Sequence, residues 1–135
     1  MAISQSIRPM PVLLEKDVTL AATSGTAVGI SVPAGVLVIA AGFQNYTTVP
    51  DVTTYTMNIT DGTTTFASAL NFDNTAANTI KAGTTAGLIT TADTIDVVTT
   101  ISGTPGAISG RVWALVVDVN QGTRPATTVD REQLA

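Results

Sequence analysis

Apolar and polar residues alternate along most of this chain in short runs, and turn-forming residues separate the runs. In the clearest run, Tyr55, Met57 and Ile59 alternate with hydroxyl and amide side chains, and Asp61 and Gly62 follow directly. Successive side chains of a β-strand point to opposite faces, and an Asp-Gly pair readily adopts the positive φ angles of a tight turn. The pattern therefore predicts a half-buried strand that ends in a hairpin.

Runs of this kind recur about eight times between breaks rich in Gly, Pro, Asn and Asp. Regular spacing of short, β-branched runs is typical of an all-β sandwich or barrel. We predict a single-domain antiparallel β-sandwich. The predicted strands are Asp17–Ala21, Ala27–Val32, Val36–Gln44, Thr53–Thr60, Thr64–Phe72, Thr79–Leu88 (the weakest pattern), Thr94–Ser102 and Ala107–Val119.

Two segments, 36–41 and 112–117, are apolar at every position rather than at every second one. Such strands are normally covered on both faces, yet in a two-layer sandwich one face of each sheet meets water. The second face therefore needs a cover from a loop, from the N-terminal segment or from another subunit. Trp113 lies within the more apolar of the two segments and is predicted to belong to the core.

A chain of 135 residues is near the commonest size of one domain. We predict an extended N-terminal arm over 1–15, where Pro9 and Pro11 disfavour helix and Val12, Leu13 and Leu14 form an apolar patch. The sandwich domain is predicted over 16–120. A polar C-terminal tail is predicted over 121–135.

The composition favours a surface for protein–protein contacts over a catalytic site. Roughly a fifth of the residues are threonine, and only 12% are charged, against about 25% in an average soluble domain. A neutral exterior of small side chains loses little entropy and little hydration when it is covered. This predicts self-association into a homo-oligomer, and the alternative is a monomer with a threonine-rich exterior.

Charge and hydropathy exclude several classes of partner. The net charge is −4 and the basic residues are scattered, so binding of nucleic acid is not expected. The longest apolar run is far shorter than a membrane-spanning helix, and the first residues lack the pattern of a secretory signal. We expect synthesis in the cytoplasm, with no contact to a membrane.

The chain contains neither histidine nor cysteine, so the commonest catalytic and metal-binding side chains are absent. We predict no enzymatic activity, no cofactor and no metal site, and we assign the aspartates at turns to backbone hydrogen bonds. An alternative is a calcium ion at a loop containing Asp61, Asp73 or Asp93. A second alternative is a glycan stacked on Tyr46, the one aromatic ring expected in a loop.

The segment 93–119 carries a resemblance to known proteins. It contains Asp93-Thr94-Ile95 at the start of one strand, a turn of small residues, and the sequence GRVWALVV in the next strand. This hairpin resembles the last hairpin of small head proteins of tailed bacteriophages, and 18–43 resembles their first sheet. The resemblance implies a capsid decoration (cement) protein with a jelly-roll-like fold, commonly a trimer without enzymatic activity, on the exterior of the virion.

By this resemblance, the partners are further copies of the chain and the lattice of the major capsid protein. The arm and the tail would reach neighbouring capsomers. The rival interpretation is a carbohydrate-binding or host-attachment module of a phage or cell surface. The residues predicted to contact partners are Ile7, Arg8, Val12, Leu13, Leu14, Arg124 and Arg131.

Overall fold

The computed structural model describes residues 10–119, which form nine β-strands and contain no helix. Every strand pairing within these residues is antiparallel. The strands are β1 (Val12–Leu20), β2 (Gly25–Val32), β3 (Val36–Asn45), β4 (Thr54–Thr60), β5 (Thr65–Asn71), β6 (Ile80–Gly83), β7 (Gly87–Ile89), β8 (Asp93–Ser102) and β9 (Ile108–Asp118).

The strands form two sheets, which confirms the predicted all-β sandwich. One sheet has five strands in the order β1-β9-β3, with β6 and β7 end to end along the free edge of β3. The other has four strands in the order β2-β8-β4-β5. The chain crosses between the sheets at most connections, and the last two strands, β8 and β9, are inserted between earlier ones. This winding is consistent with the jelly-roll-like topology that the resemblance implies.

Most strand boundaries lie within two residues of the predicted ones, and two parts of the chain differ more. The weak segment 79–88 is divided into β6 and β7, because the intervening chain leaves β3 and the Thr85 amide donates to the Phe66 carbonyl at 3.3 Å. At the other end of the molecule, β1 begins at Val12. It crosses the predicted limit of the arm at residue 15, because Val12 to Glu15 already pair with β9.

The core lies between the two sheets and is built from the inward positions of the alternating strands. Phe43 of β3 packs edge-on against Phe72, with ring centroids 5.6 Å apart and planes at 87°. The Lys81 ammonium lies 5.7 Å from the centroid of the Phe72 ring, so its charge sits at the margin of this aromatic pair. Residues that alternate inward on β4, such as Tyr55 and Met57, are fully buried as predicted.

The predicted Asp-Gly hairpin joins β4 and β5. Gly62 has a φ of 91°, the region that a residue without a Cβ adopts without strain. The Asp61 carboxylate accepts hydrogen bonds from the amides of Thr63 at 2.8 Å and Thr64 at 2.6 Å. The prediction that this aspartate stabilises a turn is confirmed.

Tyr55 carries the one buried side-chain oxygen within residues 10–119 that lacks a hydrogen-bond partner. Burial raises the pKa of its hydroxyl from 10.0 to about 12. Between these values the unfolded chain has released the proton and the folded chain still holds it, so stability falls as pH rises. The free energy of unfolding should decrease by up to about 2.7 kcal/mol over this interval.

We expect Tyr55→Phe to raise the free energy of unfolding at neutral pH by about 1 kcal/mol, because the unpaired hydroxyl is removed without a change of shape. The variant should also lose less stability than the parent between pH 10 and pH 12. Urea denaturation at both pH values measures both effects. An identical alkaline loss in parent and variant would show that another group causes it.

Candidate interaction surface

Trp113 lies on the outer face of the five-stranded sheet, so the prediction that it belongs to the core is wrong. Along β9 the fully buried positions include Val112 and Ala114, and Trp113 between them is half-buried. Its neighbour across the strands is Gly42, which has no side chain. A Cβ atom at Gly42 would lie 2.6 Å from Cζ2 of Trp113, so the ring lies directly against the backbone of β3.

The same face carries further apolar side chains on four strands, and we call it the Trp113 face. Leu13 pairs with Leu115, and Leu37 pairs with both Val117 and Leu88, so these residues are adjacent across the sheet. Leu13 is 54% exposed and Leu88 is 48% exposed. The Trp113 face consists of Leu13, Leu37, Leu88, Trp113, Leu115 and Val117.

One end of this face is polar, and its side chains bind one another; we call it the polar rim. Arg111 donates from Nη1 to Glu15 and from Nε to Gln44 Oε1, each at 2.9 Å. The Tyr46 hydroxyl donates to Asp17 Oδ1 at 2.5 Å, and this hydrogen bond raises the pKa of Tyr46. The rim thus presents charges that already have partners.

An open groove of about 250 Å³ lies where the Trp113 face meets the polar rim. Its apolar walls are Leu13, Ile80 and the ring of Trp113, and its polar margin is formed by Glu15 and Arg111 together with Gln44. A volume of this size admits one large side chain of a partner. The groove is therefore a shallow pocket within the larger surface formed by the Trp113 face and the polar rim. It lacks the enclosed form of a typical small-molecule site.

The outer face of the four-stranded sheet is chemically different. Its two central strands pair Thr56 with Thr100 and Thr60 with Asp96, and Val98 is the one apolar side chain among these pairs, opposite Asn58. At the edge of the sheet, Val28 of β2 is 59% exposed. We call this the hydroxyl face. Because hydroxyl groups hydrogen-bond to water without carrying charge, this side of the sandwich is stable when it is exposed. The hydroxyl face therefore suits contact with water, whereas the Trp113 face suits contact with another apolar surface.

The residues predicted from the sequence to contact partners are only partly described. Val12 and Leu13, at the start of β1, are 51% and 54% exposed, and Leu14 is half-buried against the core. Leu13 belongs to the Trp113 face. Ile7, Arg8, Arg124 and Arg131 lie outside the described residues.

Sequence reasoning missed the outward direction of Trp113, Leu115 and Val117, although a signal was present. All three share the odd-numbered positions of β9 with Arg111, whose charge requires a polar or exposed environment. Alternation from Arg111 therefore places the three apolar residues on the outer face.

The aspartates singled out from the sequence serve backbone amides. Asp73 Oδ1 accepts from Val52 N, and Asp93 Oδ1 accepts from Thr94 N, each at 2.7 Å. Across residues 10–119, no three acidic side chains converge as a metal site would require. The same part of the chain has no helix of the length and hydropathy needed to cross a membrane.

Tyr46, the ring considered for glycan stacking, lies on the polar rim with 37% of its surface exposed. Its hydroxyl is engaged by Asp17. This hydrogen bond fixes the position of the hydroxyl at the polar rim.

No protein-family model and no curated protein sequence matches the chain. Solved structures do match. A chain of the cyanophage Pam1 capsid asymmetric unit is 17% identical with a TM-score of 0.61, over 87% of this chain and 91% of that one. A chain of the acid-stable capsid of Helicobacter pylori bacteriophage KHP30 is 13% identical with a TM-score of 0.54, over 82% of this chain and 93% of that one. The resemblance to phage head proteins inferred from the sequence is thus confirmed as a shared fold.

Proposed function

We propose that this chain is a structural protein of a bacteriophage virion that decorates and stabilises the capsid exterior as a homo-oligomer, a trimer. The observation that carries the proposal is the Trp113 face, an apolar outer sheet surface that a free monomer would expose to water. It occurs in a fold shared with chains of two phage capsids. No catalytic step is part of the proposed role.

The size of the matched chains supports an added role on the shell. Each is covered over more than nine-tenths of its own length, so each is a single sandwich of about this size within a capsid. One sandwich of 135 residues offers two sheet faces and four edges for contacts. We infer that a larger protein builds the shell and that this chain binds to it after assembly.

Stabilisation by such a protein follows from mass action. A subunit that binds only the assembled lattice stabilises it by its binding free energy, about 2.7 kcal/mol per site at a concentration of 100 times Kd. Linking several subunits in one oligomer multiplies the effect, because the second and third contacts become intramolecular.

The charge distribution points to protein rather than nucleic acid as the partner. The net charge is −4, and two of the three basic side chains within residues 10–119 already have intramolecular contacts, Arg111 with Glu15 and Lys81 with the Phe72 ring. A position on the outside of the shell, away from the packaged genome, agrees with this charge.

The test is addition of the purified chain to shells of its own phage that lack it. We expect saturable co-sedimentation with a fixed number of copies per shell and an increase in the temperature at which the shells break. The chain centrifuged alone and shells of an unrelated phage are the controls. Failure to co-sediment, with no change in shell stability, would refute the proposal. Glycan binding lost in Tyr46→Ala would instead support the host-attachment alternative.

A further inference from the structure

We infer that the Trp113 face is the surface through which copies of this chain bind one another, and that its occupant is a second copy. The hydroxyl face then remains on the outside of the oligomer. The inference rests on the proposed function for one premise only, namely that the protein exists free in the cytoplasm before a shell is available to it.

The dimensions of the face suit a protein interface. Together with the polar rim, the face spans three strand spacings of about 4.8 Å from β1 to β7, and along β9 it extends from Arg111 to Val117 at about 3.4 Å per residue. With side chains included, the flat area is on the order of 500 Å². The Trp113 face and the polar rim together therefore provide a large part of the roughly 800 Å² that one partner contributes to a stable interface.

The arrangement of residues matches the anatomy of an interface between copies. An uncharged apolar centre, with Leu115 and Val117 beside Trp113, is bordered on one side by the polar rim. Stable interfaces combine a dry apolar core with a wet polar border, and those of homo-oligomers are the more apolar ones. A second copy of the chain presents the same apolar centre and the same polar border, so it matches both parts of the interface.

Charge complementarity also favours a second copy. Arg111 is neutralised by Glu15 at 2.9 Å, and Asp17 is bonded to Tyr46. The face offers neither an unpaired cation for an acidic partner nor an anion cluster for a basic one. Neighbouring copies in the oligomer can meet through this face without strong repulsion, because its charges are satisfied within each copy.

Trp113 is ordered in advance as the anchor of this contact. Its ring lies against the bare backbone at Gly42, which fixes its position before any partner arrives. Large aromatic side chains at the centre of an interface contribute most of the binding free energy, and an anchor that is already ordered loses little entropy on binding.

Under the proposed function, the protein exists free before a shell is available to it, and this favours a second copy over the shell protein as the molecule that covers the Trp113 face. A chain with 12% charged residues that exposes a contiguous apolar face would aggregate while it waits for a shell. A second copy is present from synthesis onward, whereas the lattice is not. Self-association therefore covers the face during the period when it would otherwise be exposed.

The chain has a single tryptophan, so its fluorescence reports on this face alone. We would dilute the full chain from micromolar to nanomolar concentration and record its mass by sedimentation together with Trp113 emission and acrylamide quenching. We expect an oligomer with protected, blue-shifted emission that becomes exposed as the oligomer dissociates. The matched variants are Val117→Lys on the Trp113 face and Val98→Lys on the hydroxyl face, which make the same change at half-buried outward valines of two interior strands.

Val117→Lys should weaken self-association by about 100-fold, because an ammonium group would be placed in a dry contact. Val98→Lys should leave it unchanged. Leu13→Lys, at a 54% exposed position on an edge strand, provides a second disruptive variant with little risk to folding. An oligomer that resists both Val117→Lys and Leu13→Lys would overturn the inference.

Two other results would also overturn it. A monomer whose Trp113 becomes protected only when shells are added would identify the shell protein as occupant, and the proposed function would survive. A monomer whose Trp113 is protected until residues 1–9 or 120–135 are removed would identify a terminal segment of the same chain. Shell binding is measured separately by co-sedimentation, so failure of the proposed function is distinguishable from failure of this inference.

Discussion

Replacement of Asn45 by alanine is expected to lower the free energy of unfolding by about 3 kcal/mol or more, among the largest effects of any single change in this chain. Asn45 ends β3 and is fully buried. Its Nδ2 donates to the carbonyls of Thr47 at 2.8 Å and Ala76 at 2.9 Å, and its Oδ1 accepts from the Thr79 amide at 2.8 Å. Alanine would leave three backbone groups without this partner.

The matched control is Asn58→Ala on the hydroxyl face. There the side-chain oxygen accepts one hydrogen bond, from the Ala69 amide at 2.7 Å, at a site that water can reach. Its loss should cost about 1 kcal/mol. Chemical denaturation of all three proteins at one fixed concentration gives the comparison. Equal losses in the two variants would mean that the buried network contributes no more than a surface hydrogen bond.

Substitution of Gly110 by alanine is expected to cost about 3 kcal/mol or more and to reduce the yield of folded protein. Gly110 occupies an inward position of β9, where the Phe43 ring fills the space that a side chain would take. An added Cβ atom would lie 2.7 Å from Cε1 of Phe43 and would also contact the Gln44 carbonyl. Neither neighbour can move without disturbing the aromatic pair or the β3–β9 ladder.

Gly25→Ala is the control for this change. Nothing lies within 4 Å of the position that its Cβ would occupy, so the free energy of unfolding should change by less than about 1 kcal/mol. Thermal and urea denaturation measure both variants. If Gly110→Ala remained as stable as Gly25→Ala, the Phe43 ring would have to be more adaptable than its packing indicates.

Alternation in the sequence was sufficient to predict the fold class and most strand positions. The hairpin around Asp61 and Gly62 was predicted correctly because the turn and both strands are local features. The division of 79–88 into two strands was missed, since it depends on β3 and on the Phe66 carbonyl, which are distant in sequence. The order of the strands in each sheet was not predictable for the same reason. β1 lies beside β9, and no local feature of the sequence indicates which strand is its neighbour.

The candidate surface was only half predictable. The sequence indicated that 112–117 needs cover on both faces, and this remains the basis of the proposal. The assignment of Trp113 to the core relied on hydropathy, which does not distinguish the inside of a sheet from an apolar outside. The position of the Trp113 ring also depends on Gly42, because any side chain at Gly42 would occupy the space that the ring fills.

The insertion of β8 and β9 between earlier strands has a consequence for the time at which the chain can fold. β1 has β9 as its one hydrogen-bonded neighbour within residues 10–119, and β2 likewise has β8. At about 5–20 residues per second on the ribosome, β1 waits roughly 5 to 20 s for its neighbour to be synthesised. Completion of the two sheets is therefore delayed until β8 and β9 have been synthesised. Because the pairing is so distant in sequence, closure is then expected in milliseconds to seconds rather than microseconds.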